Sequence, residues 1–157
     1  MKNRNVLFAV IFILAAGTTL YAQSTALNQR KPVIADQDLV IRVAEITGNA
    51  LFFPVDIDGL RMEVLAVKAP DGTIRTAFNT CQVCYNSGKG YFVQTGTVLV
   101  CQNCGNRYRM NQVERRAGGC NPVPIFPANK TVTAETITIS RDYLRQARSI
   151  FQSWRRG

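Results

Sequence analysis

Residues 38–80 alternate between apolar and polar side chains in four runs that are typical of β-strands. The runs are LVIRVAEI, ALFFPVDI, LRMEVLAVKA and TIRTAFNT. The breaks at Asp58-Gly59 and Pro70-Asp71-Gly72 supply residues that tolerate the positive φ of hairpin turns. Because alternation buries one face of each strand, the pattern predicts an antiparallel meander that leads directly into Cys81.

The C-terminal part of the chain changes from strand periodicity to helix periodicity. After GGCNPVPIFPANK, whose glycines and prolines predict a loop, TVTAETITIS predicts one more strand. Ser140 is then a good N-cap, and apolar residues follow at helical spacing opposite a set of arginines. The apolar residues are Leu144, Ala147, Ile150, Phe151 and Trp154, and the arginines are Arg141, Arg145, Arg148 and Arg155. This helix is expected either to cover the sheet, with its arginines solvated, or to dock on an anionic membrane surface.

Two Cys-x-x-Cys turns, the first knuckle (Cys81–Cys84) and the second knuckle (Cys101–Cys104), flank the strand-like run GYFVQTGTVLV. Two intervening residues let both sulfurs of a knuckle face one point. Thr95-Gly96-Thr97 predicts a hairpin turn that returns the second knuckle to the first. The predicted fold class is therefore mainly β (α+β): an antiparallel meander with a zinc-ribbon-like cysteine hairpin insert and a C-terminal amphipathic helix.

The beginning of the chain has the pattern of a secretory signal. Basic Lys2 and Arg4 precede an apolar run and small Ala22, which predicts a signal peptide over residues 1–22, or an N-terminal anchor if this segment is retained. The polar stretch 23–37 predicts a spacer, and 38–157 is the predicted thiolate metal-binding domain. We expect this domain to be extracytoplasmic, in the periplasm or at the cell surface.

The composition is that of a basic globular protein, with 46% apolar residues and a formal net charge of +9. In a cytosolic protein this charge and the paired cysteines would suggest nucleic-acid binding. Export argues against nucleic acid as a partner. An exported basic domain is better suited to an anionic membrane surface or an acidic partner protein.

Five cysteines and the absence of histidine limit the chemistry. Without histidine, a histidine-ligated zinc site, a type-1 copper site and Cys-x-x-Cys-His haem attachment are excluded. The thiols could still form a metal site, redox-active disulfides or structural disulfides. A disulfide within a knuckle would close a very short loop and stabilise little, which favours a metal. The spacing does not distinguish zinc from iron or a small iron-sulfur cluster.

Cys120, in AGGCNP, is the fifth thiol. Gly118 and Gly119 permit a close backbone approach, so Cys120 is either a further or substituting ligand or a buried or free thiol. Arginines between Cys104 and Cys120 would offset the negative charge of a four-thiolate site, or would form a solvated face. They are Arg107, Arg109, Arg115 and Arg116.

The sequence around these cysteines resembles a known family. The run MEVLAVKAPDGTIRTAFNTCQVC, the second knuckle CQNCGNRY and the GGCNPVP loop are similar to the cysteine domain of FtrD-like membrane iron-sulfur proteins. The resemblance extends from about Asp38 to the terminal strand and helix. The namesake members have multiple membrane spans, whereas the apolar N-terminal run is the one candidate span here.

This resemblance implies an extracytoplasmic domain that holds an iron-sulfur cluster or metal. The cysteines that match the family are Cys81, Cys84, Cys101, Cys104 and Cys120. It also implies a link to high-affinity iron uptake and electron exchange with a membrane permease or another redox partner. Because a chain exported unfolded cannot carry a preassembled cluster, a single iron ion, or zinc, is the alternative cofactor.

The sequence thus predicts an exported metal-binding protein that transfers electrons rather than an enzyme. Two other functions stay open. One is a structural zinc-ribbon module that binds a partner. The other is a thiol-disulfide oxidoreductase in which Cys81 or Cys101 is the attacking thiolate.

Overall fold

The computed structural model describes residues 31–156, so the predicted signal segment 1–22 lies outside the described residues. The strands are β1 (Ile34–Ala35), β2 (Leu39–Arg42), β3 (Leu51–Ile57), β4 (Leu60–Lys68), β5 (Ile74–Cys81), β6 (Phe92–Thr95), β7 (Val98–Cys101), β8 (Arg107–Arg109), β9 (Pro122–Pro124), β10 (Thr131–Val132) and β11 (Thr136–Ile139). Helix α1 (Arg141–Gln146) continues as a 3-10 turn over Ala147–Phe151. The fold is mainly β, as the alternating pattern predicts.

The central sheet has the strand order β1-β3-β4-β5-β9. Strands β3, β4 and β5 form the predicted antiparallel meander. The first turn is made by Asp58 and Gly59, both of which have positive φ. Strand β1 pairs in parallel with β3, so the end of the stretch predicted as a spacer contributes to the sheet.

Two predictions about this region are wrong. The run at 39–46 does not join the meander, because β2 pairs with β11 in a separate sheet of order β10-β11-β2. The Gly- and Pro-rich stretch predicted as a loop contains β9, which pairs with β5 at the edge of the central sheet. Proline lacks an N–H but is tolerated on an edge strand, where one side of the strand needs no donor.

Both faces of the central sheet are buried, which gives the protein two hydrophobic cores. Since successive side chains of a strand point to opposite faces, Phe53 and Val64 enter one core whereas Phe52 and Leu65 enter the other. The first core is closed by the sheet of order β10-β11-β2 and by α1. The second core is closed by a sheet of order β6-β7-β8, which carries the second knuckle.

The C-terminal helix covers the first core as expected, and its arginines lie on the outer side, where some of them form ion pairs. Ser140 caps the helix, its Oγ accepting a hydrogen bond from the Tyr143 N–H at 3.2 Å. Leu144 is buried in the first core. Arg141 and Arg145 form ion pairs with Asp58 at 2.8 Å each. The turn between β3 and β4 therefore offsets part of the positive charge on this side of the helix.

The carboxylates at this turn should make stability depend on acid. The hydrogen bond from Arg145 lowers the pKa of Asp58 from its ordinary value of 3.8. The Asp58 backbone N–H, and then Arg141, likewise lower the pKa of Asp36. Because the folded pKa values lie below the unfolded ones, this stabilisation is fully present above about pH 4 and is lost as the pH falls through the lowered values.

We expect Asp58→Asn to lower the thermal midpoint by a few degrees at neutral pH, since asparagine tolerates the positive φ but carries no charge. The difference from wild type should shrink as the pH falls below about 4, because protonation then removes the same charge from the native protein. Circular dichroism melts over this range measure it. A difference that is constant with pH would contradict the ion-pair explanation.

Candidate metal centre

The five cysteines come together from three segments of the chain. The first knuckle begins at the end of β5, and the second begins at the end of β7. The β6–β7 hairpin pairs Phe92 with Cys101, which returns the second knuckle to the first as the pattern predicts. Cys120 lies two residues before the start of β9, and the pairing of Pro122 with Cys81 brings it to the same place.

Four of the sulfur atoms form a compact group. The Sγ atoms of Cys81, Cys84, Cys101 and Cys120 all lie within 4.8 Å of one another. The Cys81 and Cys120 sulfurs are 3.4 Å apart. Cys104 is outside this mutual group but borders it, with its Sγ 2.9 Å from that of Cys120 and in side-chain contact with Cys101 and Cys84. All five predicted site residues thus lie in one cluster.

The cluster is closed on one side and open on the other. Cys81 and Cys101 are 0% exposed and pack in the second core beside Phe92 and Leu99. Cys84 and Cys120 are half-buried, and Cys104 is exposed. Two ligands are therefore held by the hydrophobic core, while the solvent reaches the cluster at Cys104.

The backbone of the second knuckle wraps around its first sulfur. The N–H groups of Asn103 and Cys104 donate to the Cys101 sulfur. The Cys101 carbonyl accepts from the Gly105 N–H at 2.9 Å, and Gly105 takes a φ of 72°. Only glycine adopts this left-handed conformation without strain, so the turn closes tightly. These amides favour a thiolate at Cys101, as a metal-binding turn requires.

Burial and local hydrogen bonds set different acidities within the cluster. Burial raises the pKa of Cys101 to about 12 and also raises the pKa values of Cys84 and Cys120. A hydrogen bond from the Cys120 thiol, and then the Asn106 N–H, lower the pKa of Cys104 to about 7. A bound cation would deprotonate the buried thiols, so metal binding releases protons and weakens as the pH falls.

The donor set fits a thiolate metal site. Four sulfurs at about 2.3 Å from one ion stand roughly 3.8 Å from each other, and the 4.8 Å limit accommodates this spacing. All-sulfur coordination suits zinc, iron and small iron-sulfur clusters. Cys81, Cys84, Cys101 and Cys120 would hold such a group, with Cys104 beside them.

Comparison with known protein families agrees with this chemistry. The family model described as "Membrane iron-sulfur containing protein FtrD-like" matches residues 46–151, which include all five cysteines. This chain belongs to the FtrD-like family. Neither a search of curated proteins nor a search of solved structures found a match. Between residues 31 and 156, this FtrD-like chain has no helix that is long and apolar enough to cross a membrane.

The loop that carries Cys120 in this FtrD-like domain is anchored by a buried acid. The Glu114 carboxylate accepts from the Thr76 N–H on β5 and from Lys130 Nζ, both at 2.6 Å. Both side chains of the Glu114–Lys130 ion pair are almost fully buried. Sequence reasoning missed this anchor, although Glu114 is the one acidic residue between Asp71 and Glu135. A single acidic residue within a basic segment is the sequence feature that could have predicted this anchor.

The arginines near the second knuckle have separate roles. Arg107 and Arg116 line, together with Cys120, a cavity of about 300 Å³. Arg115 forms a 3.0 Å ion pair with Asp71. Arg109 faces a different cavity, of about 550 Å³. Arg107 and Arg116 are thus the two that share a cavity with a cysteine of the cluster, where their charge would offset that of thiolates.

Gly90 makes the first knuckle sensitive to a single methyl group. A Cβ at Gly90 would lie 2.5 Å from the Cys84 carbonyl oxygen and 2.7 Å from its carbon, so the knuckle backbone would have to move. We expect Gly90→Ala to destabilise the protein by about 1–3 kcal/mol and to weaken metal binding. Chemical denaturation and a metal-competition titration measure the two effects.

Gly48→Ala is the matched control, because a Cβ there meets nothing within 4 Å. It should leave both the stability and the metal affinity close to wild type. If both variants lost the same stability and metal affinity, the effect of Gly90→Ala would come from replacing any glycine, and not from a clash with the knuckle.

Proposed function

We propose that this FtrD-like protein binds iron through its cysteine cluster, as a single ion or a small cluster, and exchanges electrons with a partner outside the cytoplasm. The observation that carries the proposal is the compact group of four sulfurs with its exposed corner at Cys104. Bound iron would supply reversible one-electron chemistry. The protein would be exported by its N-terminal signal and would act in iron uptake or in another extracytoplasmic redox process.

The surroundings of the cluster suit electron transfer. Burial of Cys81 and Cys101 excludes water from one side, and amide hydrogen bonds to the Cys101 sulfur stabilise its negative charge. Both features influence the reduction potential of bound iron. Cys104 would bring the centre to the surface, where a partner can approach it closely.

A partner protein suits this surface better than a lipid bilayer. Val83, at the tip of the first knuckle, is 65% exposed beside the cluster and offers an apolar contact. Arg107 and Arg116 add positive charge near Cys120. Two of the helix arginines that could meet an anionic membrane, Arg141 and Arg145, are paired with Asp58. We propose a membrane permease or another redox protein with an acidic docking face as the partner.

A structural zinc module is the second candidate. Spacing of four sulfurs within 4.8 Å suits a single ion, and zinc binds four cysteines in closed structural sites. Such a form would be colourless and redox-silent, and its role would be to fix the knuckles as a binding surface.

Anaerobic purification followed by elemental analysis and a reductive titration tests the proposal. We expect iron, with thiolate-to-iron absorption that changes reversibly on reduction. Zinc with no optical response to reductant would establish the structural module instead. Metal-free protein with disulfide-reductase activity would overturn both and leave the oxidoreductase.

A further inference from the structure

We propose that Cys120, and not Cys104, completes the inner set of four ligands, and that Cys104 is an exchange ligand through which the ion enters and leaves. This inference rests on the proposed metal function. The two knuckles alone would suggest the opposite division, with Cys120 as the extra thiol. The geometry of the folded chain favours the division proposed here.

The distances separate the five thiols into four and one. Cys120 belongs to the group whose sulfurs are all within 4.8 Å of one another, together with Cys81, Cys84 and Cys101. Cys104 does not belong to it. Its sulfur lies 2.9 Å from that of Cys120 and also contacts the Cys101 and Cys84 side chains, so it borders the inner set without belonging to it.

The Cys120 segment is held against the first knuckle by direct contacts. The Gln82 N–H donates to the Asn121 carbonyl at 3.2 Å, and the Gly118 N–H donates to the Gln82 side-chain oxygen. The Asn106 side chain donates to the Cys120 carbonyl at 2.7 Å. Both knuckle regions therefore position Cys120, as expected for a permanent ligand.

The exposure of the thiols gives Cys104 the position of a first contact. Cys104 is the one exposed cysteine of the five, whereas the inner four are buried or half-buried. An ion arriving from solvent therefore meets Cys104 before it can reach the buried Cys81 or Cys101. Loss of the ion follows the same path in reverse.

The exchange step changes no oxidation state. The Cys104 thiol would release its proton to solvent and donate to the ion first, displacing one of its water ligands. The inner four thiols would then release theirs as their sulfur bonds form and the remaining waters leave. The Cys104 sulfur would finally withdraw and take up a proton from solvent, leaving four thiolates on the ion.

Binding of Co²⁺ to the reduced full chain tests the division, because tetrahedral thiolate coordination of Co²⁺ has its own visible spectrum. We expect Cys104→Ser to bind one Co²⁺ per chain, with a tetrahedral spectrum and an affinity within about tenfold of wild type. Stopped-flow loading, and release to a coloured chelator, should both be at least about tenfold slower. Cys120→Ser should lose more than about 100-fold in affinity.

Gln102→Ser, in the same exposed knuckle, should change neither the affinity nor the rates. Cys104→Ser that loses binding while Cys120→Ser retains it would overturn the inference in favour of a site made by the two knuckles. Unchanged rates in Cys104→Ser would also overturn it. If Cys120→Ser fails to fold, the loading and release rates of Cys104→Ser still test the inference. Cys104 is exposed, so its replacement by serine should not prevent folding. Wild-type protein that binds no Co²⁺ would refute a single-ion site, and this inference with it.

Discussion

Cys101→Ser is expected to abolish stoichiometric metal binding and to remove the stabilisation that metal confers. Cys101 is fully buried in the second core, and its sulfur receives two backbone N–H groups. A serine hydroxyl would leave these donors facing a poorer ligand. The loss in affinity should exceed the about 10–100-fold that changes to outer-shell partners cost.

The measurement is the thermal or chemical stability of wild type and variant with and without metal. At a free metal concentration 1,000 times the dissociation constant, wild type should gain about 4 kcal/mol, and Cys101→Ser should gain almost none. Val100→Ser places the same side chain one position earlier, on the half-buried opposite face of β7. It should retain the gain. Metal stabilisation of equal size in Cys101→Ser would contradict the assignment of Cys101 as a ligand.

Arg156→Met is expected to destabilise the protein by about 3–5 kcal/mol, because it removes the guanidinium that lies against a buried carboxylate. Arg156 Nη1 lies 2.6 Å from Glu63 Oε1, and the Glu63 side chain is completely buried. The guanidinium also lies 4.3 Å from the centre of the Phe52 ring. Methionine retains much of the apolar stem but none of the charge, so the loss reports on the ion pair.

Urea unfolding measures this loss. Arg155→Met removes the same charge from the exposed neighbouring position and should lie within about 0.5 kcal/mol of wild type. The double variant Glu63→Gln and Arg156→Met should recover part of the stability, since the buried negative charge is then removed together with the guanidinium. A double variant less stable than Arg156→Met would show that the carboxylate is held mainly by other groups.

The Glu63–Arg156 pair also matters for the metal centre. Asn79 Nδ2 donates to Glu63 at 2.7 Å, while Asn79 Oδ1 accepts from the Phe92 N–H at 2.7 Å. Asn79 precedes the first knuckle by two residues, and Phe92 begins the hairpin that carries the second. The buried network thus fixes the two knuckles relative to each other, and its loss should weaken metal binding as well as stability.

Features set by local pattern could be predicted from the sequence. Strands β3, β4 and β5, the β6–β7 hairpin and the N-cap at Ser140 each follow from periodicity and turn residues a few positions apart. The convergence of the cysteines could also be predicted, because a hairpin between two knuckles leaves little geometric freedom. Family membership followed from the cysteine contexts and is confirmed by the match over residues 46–151.

Features set by long-range pairing could not be predicted. Alternation marks β2 as a strand but does not say that its partner is β11, almost 100 residues later. Strand β9 carries two prolines, which hide an edge strand from any propensity argument. Likewise, Arg156 and Glu63 look like ordinary surface charges until the fold buries both.

The place of Cys120 was open in the sequence for the same reason. Its distance along the chain from the knuckles gives no geometry, whereas the pairing of β5 with β9 sets it beside Cys81. The structure thereby changes which of the five thiols lies outside the compact group of four. Cys104, part of a regular knuckle, is the exposed one.

The metal-to-protein ratio tests the central claim most directly. It should be measured side by side for wild type and for the Cys81→Ser and Cys101→Ser double variant, both purified without oxygen. The cysteine cluster predicts at least one bound metal ion per wild-type chain and almost none in the double variant. Equal metal content in the two proteins, or metal-free wild type, would contradict it.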